Sequence, residues 1–140
     1  MQVKVVETKH ELEQVFQIRK KVFVEEQHVP IEEEIDQYEK EAVHFLLLHH
    51  GDPAGAGRFR IVDGKGKAER ICVLPETRGS GVGKAIMEAI EEYARSQNVP
   101  ALKLNAQVHA IPFYEKLGYK VVSEEFMDAG IPHKTMLKEF

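Results

Sequence analysis

The chain reads Arg78-Gly79-Ser80-Gly81-Val82-Gly83-Lys84 between an apolar run that Pro75 stops and a long amphipathic one. Glycine at every second position lets the backbone turn tightly and bring its N–H groups up to a ligand, and a helix starting there adds the positive end of its dipole. The segment behind the loop, Gly81 to Gln97, sets Val82, Ile86, Ala89, Ile90 and Tyr93 on one face and stops at Asn98-Val99-Pro100, so it reads as that helix. A strand, a glycine loop and a helix in succession restrict the chain to folds that mix α and β structure, with a phosphate or pyrophosphate at the loop. Two familiar phosphate motifs do not fit. A P-loop needs Gly, four residues, then Gly-Lys-Ser/Thr, whereas Lys84 is followed by Ala85 and no glycine stands five positions before Gly83. The dinucleotide fingerprint G-x-G-x-x-G is also missed: Gly79, Gly81 and Gly83 read G-x-G-x-G, and no acidic residue follows a second strand to hold a ribose.

Val3 to Val6 reads as a strand, and Thr8 with Glu11 three residues on is a capping box. It predicts a helix to about Phe23, with Leu12, Val15, Phe16, Val22 and Phe23 on one apolar stripe. Arg19 falls in the middle of that stripe. A desolvated charge is costly unless paired, so Arg19 either meets a carboxylate of the acidic segment described below or borders a substrate cleft. Ala42 to His50 and Ala54 to Val62, parted by Gly51-Asp52-Pro53, read as a hairpin. The turn Asp63-Gly64-Lys65-Gly66 then leads into a third strand, about Ala68 to Leu74. Beyond the long helix, Ala101 to Ala106 is a strand that the crossover makes locally parallel. Ala110 to Leu117 is a short helix closed by Gly118, and Tyr119 to Phe126 with His133 to Lys138 forms a last antiparallel pair about Gly130-Ile131-Pro132. The expected fold is α+β, a mixed and mostly antiparallel central sheet flanked by helices.

At 140 residues, with 43% hydrophobic and 30% charged side chains, the chain is sized and composed for one soluble domain spanning 1-140. No apolar run approaches the ~20 residues that cross a bilayer, and Met1 to Glu7 is no export signal, so no membrane is implied and a cytoplasmic setting is expected. The single cysteine, Cys72, has no disulfide partner and makes a poor metal or redox motif; no metal is implied. Charge is uneven. Glu25 to Glu41 carries eight carboxylates against Lys40, minus 7 in seventeen residues, against minus 4 for the whole chain. The remainder is thus only mildly basic and has no basic stripe, which argues against a nucleic-acid partner. The acidic segment reads either as a solvated surface loop or as a rim that attracts a cationic substrate.

The loop, with its flanks, resembles the phosphate motif of the GCN5-related N-acetyltransferase superfamily, Gln/Arg-x-x-Gly-x-Gly/Ala, which Arg78, Gly81 and Gly83 match. The strand end Ile71-Cys72-Val73-Leu74-Pro75 before it and Phe113-Tyr114-Glu115-Lys116-Leu117-Gly118-Tyr119 about thirty residues after it resemble the family's flanking segments. Arg19 to Gln27, the Ala106-Gln107 pair and Gly130-Ile131-Pro132-His133 look like the ElaA-like, YjcF-like branch. The resemblance implies an acetyl-CoA-dependent N-acetyltransferase. Residues Gly79, Ser80, Gly81, Val82, Gly83 and Lys84 would cradle the CoA pyrophosphate with Arg78 at the lip. Ile71, Cys72 and Val73 would pair their backbone with the pantetheine arm, and an N–H there would polarise the thioester carbonyl. Cys72 then serves as a small scaffold residue and not as a nucleophile. Tyr114 matches the tyrosine that protonates the departing thiolate, a phenol delivering its proton as the C–S bond breaks.

The incoming amine must lose a proton, and Glu26, Glu69, His44, His109 and His133 are all candidate bases that spacing does not separate. Asn105 and Gln107 can offer amide hydrogen bonds to pantetheine or substrate, or merely cap a strand end. Arg19, Glu26, His44, Gln107 and His133 are therefore the substrate-side candidates. The expected acceptor is a primary amine on a small molecule or a peptide, and an exposed sheet edge leaves room for a homodimer. Two other readings stand beside the transferase: a non-catalytic acyl-CoA sensor with the same cradle, and a nucleotide-phosphate binder using the glycine loop.

Overall fold

The computed structural model describes residues 1–140. The Thr8 hydroxyl accepts the Glu11 N–H at 3.1 Å and the Glu11 carboxylate accepts the Thr8 N–H at 3.1 Å, so the expected capping box starts helix α1 (Lys9–Arg19). Its buried face is Val15 and Ile18. Past Arg19 the chain winds on as a π-helical stretch, Lys20–Glu26. The turn there is wider, with a 3.1 Å bond from the Gln27 N–H to the Val22 carbonyl, and the expected apolar stripe still runs on to Phe23: Val15 and Val22 are buried in one cluster with Phe16 and Phe23 packed against it. A single turn, α2 (Ile31–Glu34), follows.

Strands β1 (Gln2–Val5), β2 (Val43–His49), β3 (Asp52–Val62) and β4 (Lys65–Val73) pair in antiparallel fashion. Helix α3 (Val82–Ser96) crosses back to β5 (Ala101–Gln107), parallel to β4. After α4 (Ile111–Lys116) come β6 (Lys120–Val121), β7 (Phe126–Asp128) and β8 (Ile131–Glu139). The sheet order is β1-β2-β3-β4-β5-β8-β6 with β7 also on β8, a mixed sheet with one parallel pair, as the expected fold class requires. β1 and β6 form its edges.

Both faces of the sheet are covered, and the period of β2 shows how. Phe45 and Leu47 pack into the cluster built on Ile86, Met87 and Ile90 of α3, while Leu46 between them points to Val15, Ile18 and Val22 beneath α1. α3 lies so close to β3 that a Cβ at Gly55 would stand 2.7 Å from Cδ1 of Ile86, and one at Gly57 2.9 Å from Cδ1 of Ile90. That approach holds the N-terminus of α3, and the glycine loop with it, beside the end of β4.

Turn boundaries differ from expectation. β3 already begins at Asp52, and a bulge between Leu47 and Leu48 absorbs the missing N–H of Pro53. β4 begins at Lys65, and Ile131 and Pro132 belong to β8. The strand expected over Tyr119 to Phe126 is broken into β6 and β7, because the Ser123 hydroxyl takes the Thr135 N–H at 2.8 Å where a ladder bond would form.

The acidic segment is divided: Glu25, Glu26, Glu32, Glu33 and Glu41 are exposed at the surface, while Glu34 is buried and Asp36 and Glu39 half-buried against arginines. Arg19, 1% exposed, donates from Nε to Oε1 of Glu34 at 2.6 Å and from its terminal nitrogens to Glu39 at 2.9 and 2.8 Å. Arg58, equally buried, forks onto Asp36 at 2.8 and 3.0 Å, and Arg60 onto Glu69 at 2.7 and 3.1 Å. Arg70 also holds Asp36 and the Glu34 carbonyl, each at 3.2 Å. Replacing Arg19 with Met leaves Glu39 the Asp36 N–H and Arg58, but leaves Glu34, 2% exposed, as an uncompensated buried charge. Urea unfolding of Arg19→Met is expected to show a loss of about 3–5 kcal/mol.

These pairings also set an acid limit. Burial pushes the Asp36, Glu39 and Glu69 carboxyls up, but Arg58 on Asp36, Arg19 on Glu39 and Arg60 on Glu69 overcome it and hold all three below the usual carboxylate range. Groups depressed in the folded state add stability that is complete above their unfolded pKa, ~4, and is lost as pH falls through the folded values. Unfolding free energy measured from pH 7 down to 3 is expected to hold level to about pH 5 and then fall.

Candidate functional site

β4 and β5 are hydrogen-bonded partners only at Gly66–Leu102, Lys67–Lys103 and Ala68–Leu104, after which they part. The gap opens into a cleft of about 1300 Å³. One wall is the π-helical stretch, α2 and β4; the other is β5, the start of α4 and the β7–β8 turn, with the glycine loop at one end. A bulge at the parting point, where Arg70 takes φ 55°, shifts the β3–β4 register. The Leu74 N–H bonds back to Ala54 on β3, so by strand alternation Val73 and Ile71 aim their backbone N–H and C=O groups the other way, into the cleft.

At the loop, Gly79 and Gly81 adopt φ 86° and 81°, and a Cβ on either would meet nothing within 4 Å, so the peptides stand open. No side chain caps α3, which leaves the N–H groups of its first turn free and Lys84 as a nearby cation. Gly83 is different: a Cβ there would lie 3.2 Å from the Phe113 ring. Arg78 bridges the loop to the wall opposite, its terminal nitrogens on Glu26 at 2.7 and 2.6 Å and its Nε on the Val73 carbonyl at 3.1 Å. The Arg78 guanidinium holds the Glu26 carboxyl below the usual carboxylate range.

Tyr114, on α4, lines the cleft. Burial pushes its phenol well above the ordinary range, with a smaller push from Cys72, so it stays protonated at neutral pH. Nδ1 of His44 is the one buried side-chain polar atom without a partner, so the Tyr114 hydroxyl, which no group of the chain bonds, opens onto the cleft. Cys72 is buried and burial pushes its thiol up to about 12, which rules out a resting thiolate and fits a scaffold role. Asn105 accepts from Thr135 Oγ1 at 2.9 Å through Oδ1, leaving its amide N–H groups for a ligand.

Most of the expected site residues converge here. Ile71, Cys72, Val73, Arg78, Gly79, Gly81, Val82, Gly83, Lys84, Asn105 and Tyr114 line the cleft, as do Glu26, Gln107 and His133. Ser80 sits on the exposed side of the loop, outside the lining. Two substrate-side candidates are corrected: Arg19 is consumed by Glu34 and Glu39, and His44 is buried away from the cleft with Nε2 on the Glu39 carbonyl at 2.8 Å, burial pushing its imidazole below the ordinary range. Sequence reasoning missed Phe113 as the floor under Gly83 and the 2.8 Å tie from Gln107 to Gln27, residues 80 positions apart. Gln27 stood at the end of a motif already singled out, and that was its only signal.

A family profile described as "Acetyltransferase (GNAT) domain" matches residues 6–140. An uncharacterized N-acetyltransferase of Bacillus subtilis, YjcF, is 49% identical over 140 residues, covering 99% of this chain and all of that one. The crystal structure of Escherichia coli ElaA superposes with TM-score 0.87 at 24% identity over 99% of both chains. A structure from Bacillus anthracis determined in complex with acetyl coenzyme A superposes with TM-score 0.64 at 22% identity, over 71% of this chain and 62% of that one.

A side chain at Gly81 would strain a backbone held at φ 81° and take up part of the open space at the start of α3. Left-handed geometry costs a non-glycine residue about 1–2 kcal/mol, less than a domain's stability. Gly81→Val is expected to keep its circular dichroism spectrum and to bind acetyl-CoA at least ~tenfold more weakly by calorimetry, since 1.4 kcal/mol is a factor of ten.

Proposed function

Since this chain belongs to the GNAT acetyltransferase family, we propose that it moves an acetyl group from acetyl-CoA to a primary amine by direct attack on the thioester, with Tyr114 as general acid. The observation that carries the reading is the meeting, in one cleft, of an open β4 edge, an uncapped helix N-terminus and a buried phenol. Each answers one part of the molecule. The first turn of α3 with Gly79, Gly81 and Lys84 suits the pyrophosphate. The backbone of Ile71 and Val73 suits the amide-bearing pantetheine arm, which adds itself to β4 as a short strand would. The N–H of Ile71 at the bulge suits the thioester oxygen, where negative charge grows as the amine adds.

The Tyr114 hydroxyl then donates to the sulfur as the C–S bond breaks. Because burial keeps the phenol protonated well past its ordinary ~10, the donor form persists across the working pH range. A phenol open on the cleft favours turnover over a binding-only sensor. The acceptor is a primary amine of a small molecule or a peptide, approaching between α2 and the β7–β8 turn.

Thiol release with acetyl-CoA and a panel of amines tests the transfer. Tyr114→Phe keeps the ring and its packing, so acetyl-CoA affinity is expected to stay within about twofold while kcat falls ~100-fold or more, the usual worth of a positioned proton donor. Unchanged kcat in that variant would remove Tyr114 from the mechanism.

A further inference from the structure

We infer that His133 is the general base that takes the proton from the incoming amine, through Nε2. The inference rests on the acetyl transfer proposed above and picks out one of the five candidates. His133 lies on β8, 8% exposed, and lines the cleft. Nδ1 stands 2.6 Å from the Ile131 carbonyl, and a carbonyl can only accept, so Nδ1 carries the ring proton and the neutral ring presents its lone pair at Nε2. Nε2 has no partner in the chain and is not sealed from solvent, since the only sealed, unpartnered side-chain atom is Nδ1 of His44. Because His133 lines the cleft, Nε2 is the ring nitrogen left for a ligand there. Phe126 stacks on the ring at 5.9 Å and 22°, fixing its plane.

The other candidates are spent or displaced. Glu26 is doubly bonded to Arg78, and Glu69 is shared by Arg58, Arg60 and Lys67; a carboxylate so paired is a weak base. His44 lies outside the cleft. His109 also lines the cleft, with Nε2 donating to Gln107 Oε1 at 2.7 Å, but it is exposed and has no ring stacked on it to fix its plane as Phe126 fixes that of His133.

The proton balance closes. Nε2 of His133 accepts one proton from the ammonium and later releases it to water. The freed lone pair forms the C–N bond as the C–S bond breaks, and Tyr114 gives its proton to sulfur. The surplus proton on the new amide nitrogen returns to the Tyr114 oxygen.

The groups packed on the ring are neutral: Phe126 from β7, the Ile131 carbonyl, and Gln107 opposite on β5. The titratable and charged groups that share the cleft are Tyr114 on α4, His109 before it, Asp128 on β7, Glu26 on the π-helical stretch, Glu33 and Glu34 on α2, Lys67, Glu69, Arg70 and Cys72 on β4, and Arg78 and Lys84 at the glycine loop.

A general base makes kcat/KM rise with pH as it loses its proton. His133→Asn keeps an N–H for the Ile131 carbonyl but has no base. It is expected to bind acetyl-CoA as the wild type does, to lose ~100-fold in kcat/KM with the amine found above, and to lose the rising limb. In parallel, ¹⁵N spectra of the wild-type imidazoles, with the His133 signal assigned by its absence in the variant, are expected to show a neutral ring protonated at Nδ1, whether or not any amine turns over. A neutral ring protonated at Nε2 would overturn the base role, as would an unchanged limb in His133→Asn or loss of the limb in His109→Asn instead. A wild type that binds acetyl-CoA yet acetylates no amine would sink the transfer itself, and the base role with it.

Discussion

Two parallel strands that part after three paired residues leave polar backbone facing a cleft, and the site follows from that parting. Buried N–H and C=O groups are almost always bonded, so the β4 edge beyond Ala68 must be met by water or by a ligand with amides of its own. The sheet can open there because β3 holds β4 on its other side, before and after the bulge at Arg70. It can stay open because β5 is paired along its length to β8, from Ala101–Glu139 to Gln107–His133. The same register brings His133 beside Gln107 at the cleft. α3, drawn onto β3 by the absence of side chains at Gly55 and Gly57, then brings its positive end to the mouth of the gap.

The outer wall depends on charge more than on apolar packing. The segment from α2 to β2 contributes few buried apolar side chains, and carboxylates in it are fastened by Arg19 from α1, by Arg58 and, on Glu41 at 3.5 Å, Arg60 from β3, and by Arg70 from the bulge. Arg60 also lies over the Tyr38 ring, 3.8 Å from its centroid. A segment at minus 7 would repel itself as a free loop; pinned by four guanidiniums it becomes a rigid side of the cleft. The guanidiniums of this part of the chain are thereby used up in architecture, and Gln27, Glu33, Gln107 and the β7–β8 turn line the cleft beside them.

What was legible in the sequence was local. The Thr8–Glu11 capping box, the amphipathic face of α3 and the alternating glycines each announce themselves within a few residues, and the Phe113 to Tyr119 segment supplied the family resemblance. The candidate cradle and Tyr114 were found that way. Arg19 on an apolar stripe signalled that a partner existed, but Glu34 and Glu39 lie 15 and 20 residues on, and one-dimensional spacing does not choose among eight carboxylates. The π-helical stretch has no compositional mark, and the break between β6 and β7 turns on one serine hydroxyl. The choice among bases was closed to sequence for a related reason: it depends on which ring nitrogen of His133 meets a carbonyl.

In the proposed transferase the parted β4 edge and the start of α3 together hold the acyl-CoA. Amide hydrogen exchange, resolved by residue with and without saturating acetyl-CoA, addresses it most directly. The account predicts slower exchange at Ile71, Val73 and the first turn of α3, from Val82 to Lys84, with the buried ladder between β2 and β3 unaffected. Binding that left those amides exchanging as before, or that protected a different surface, would contradict it.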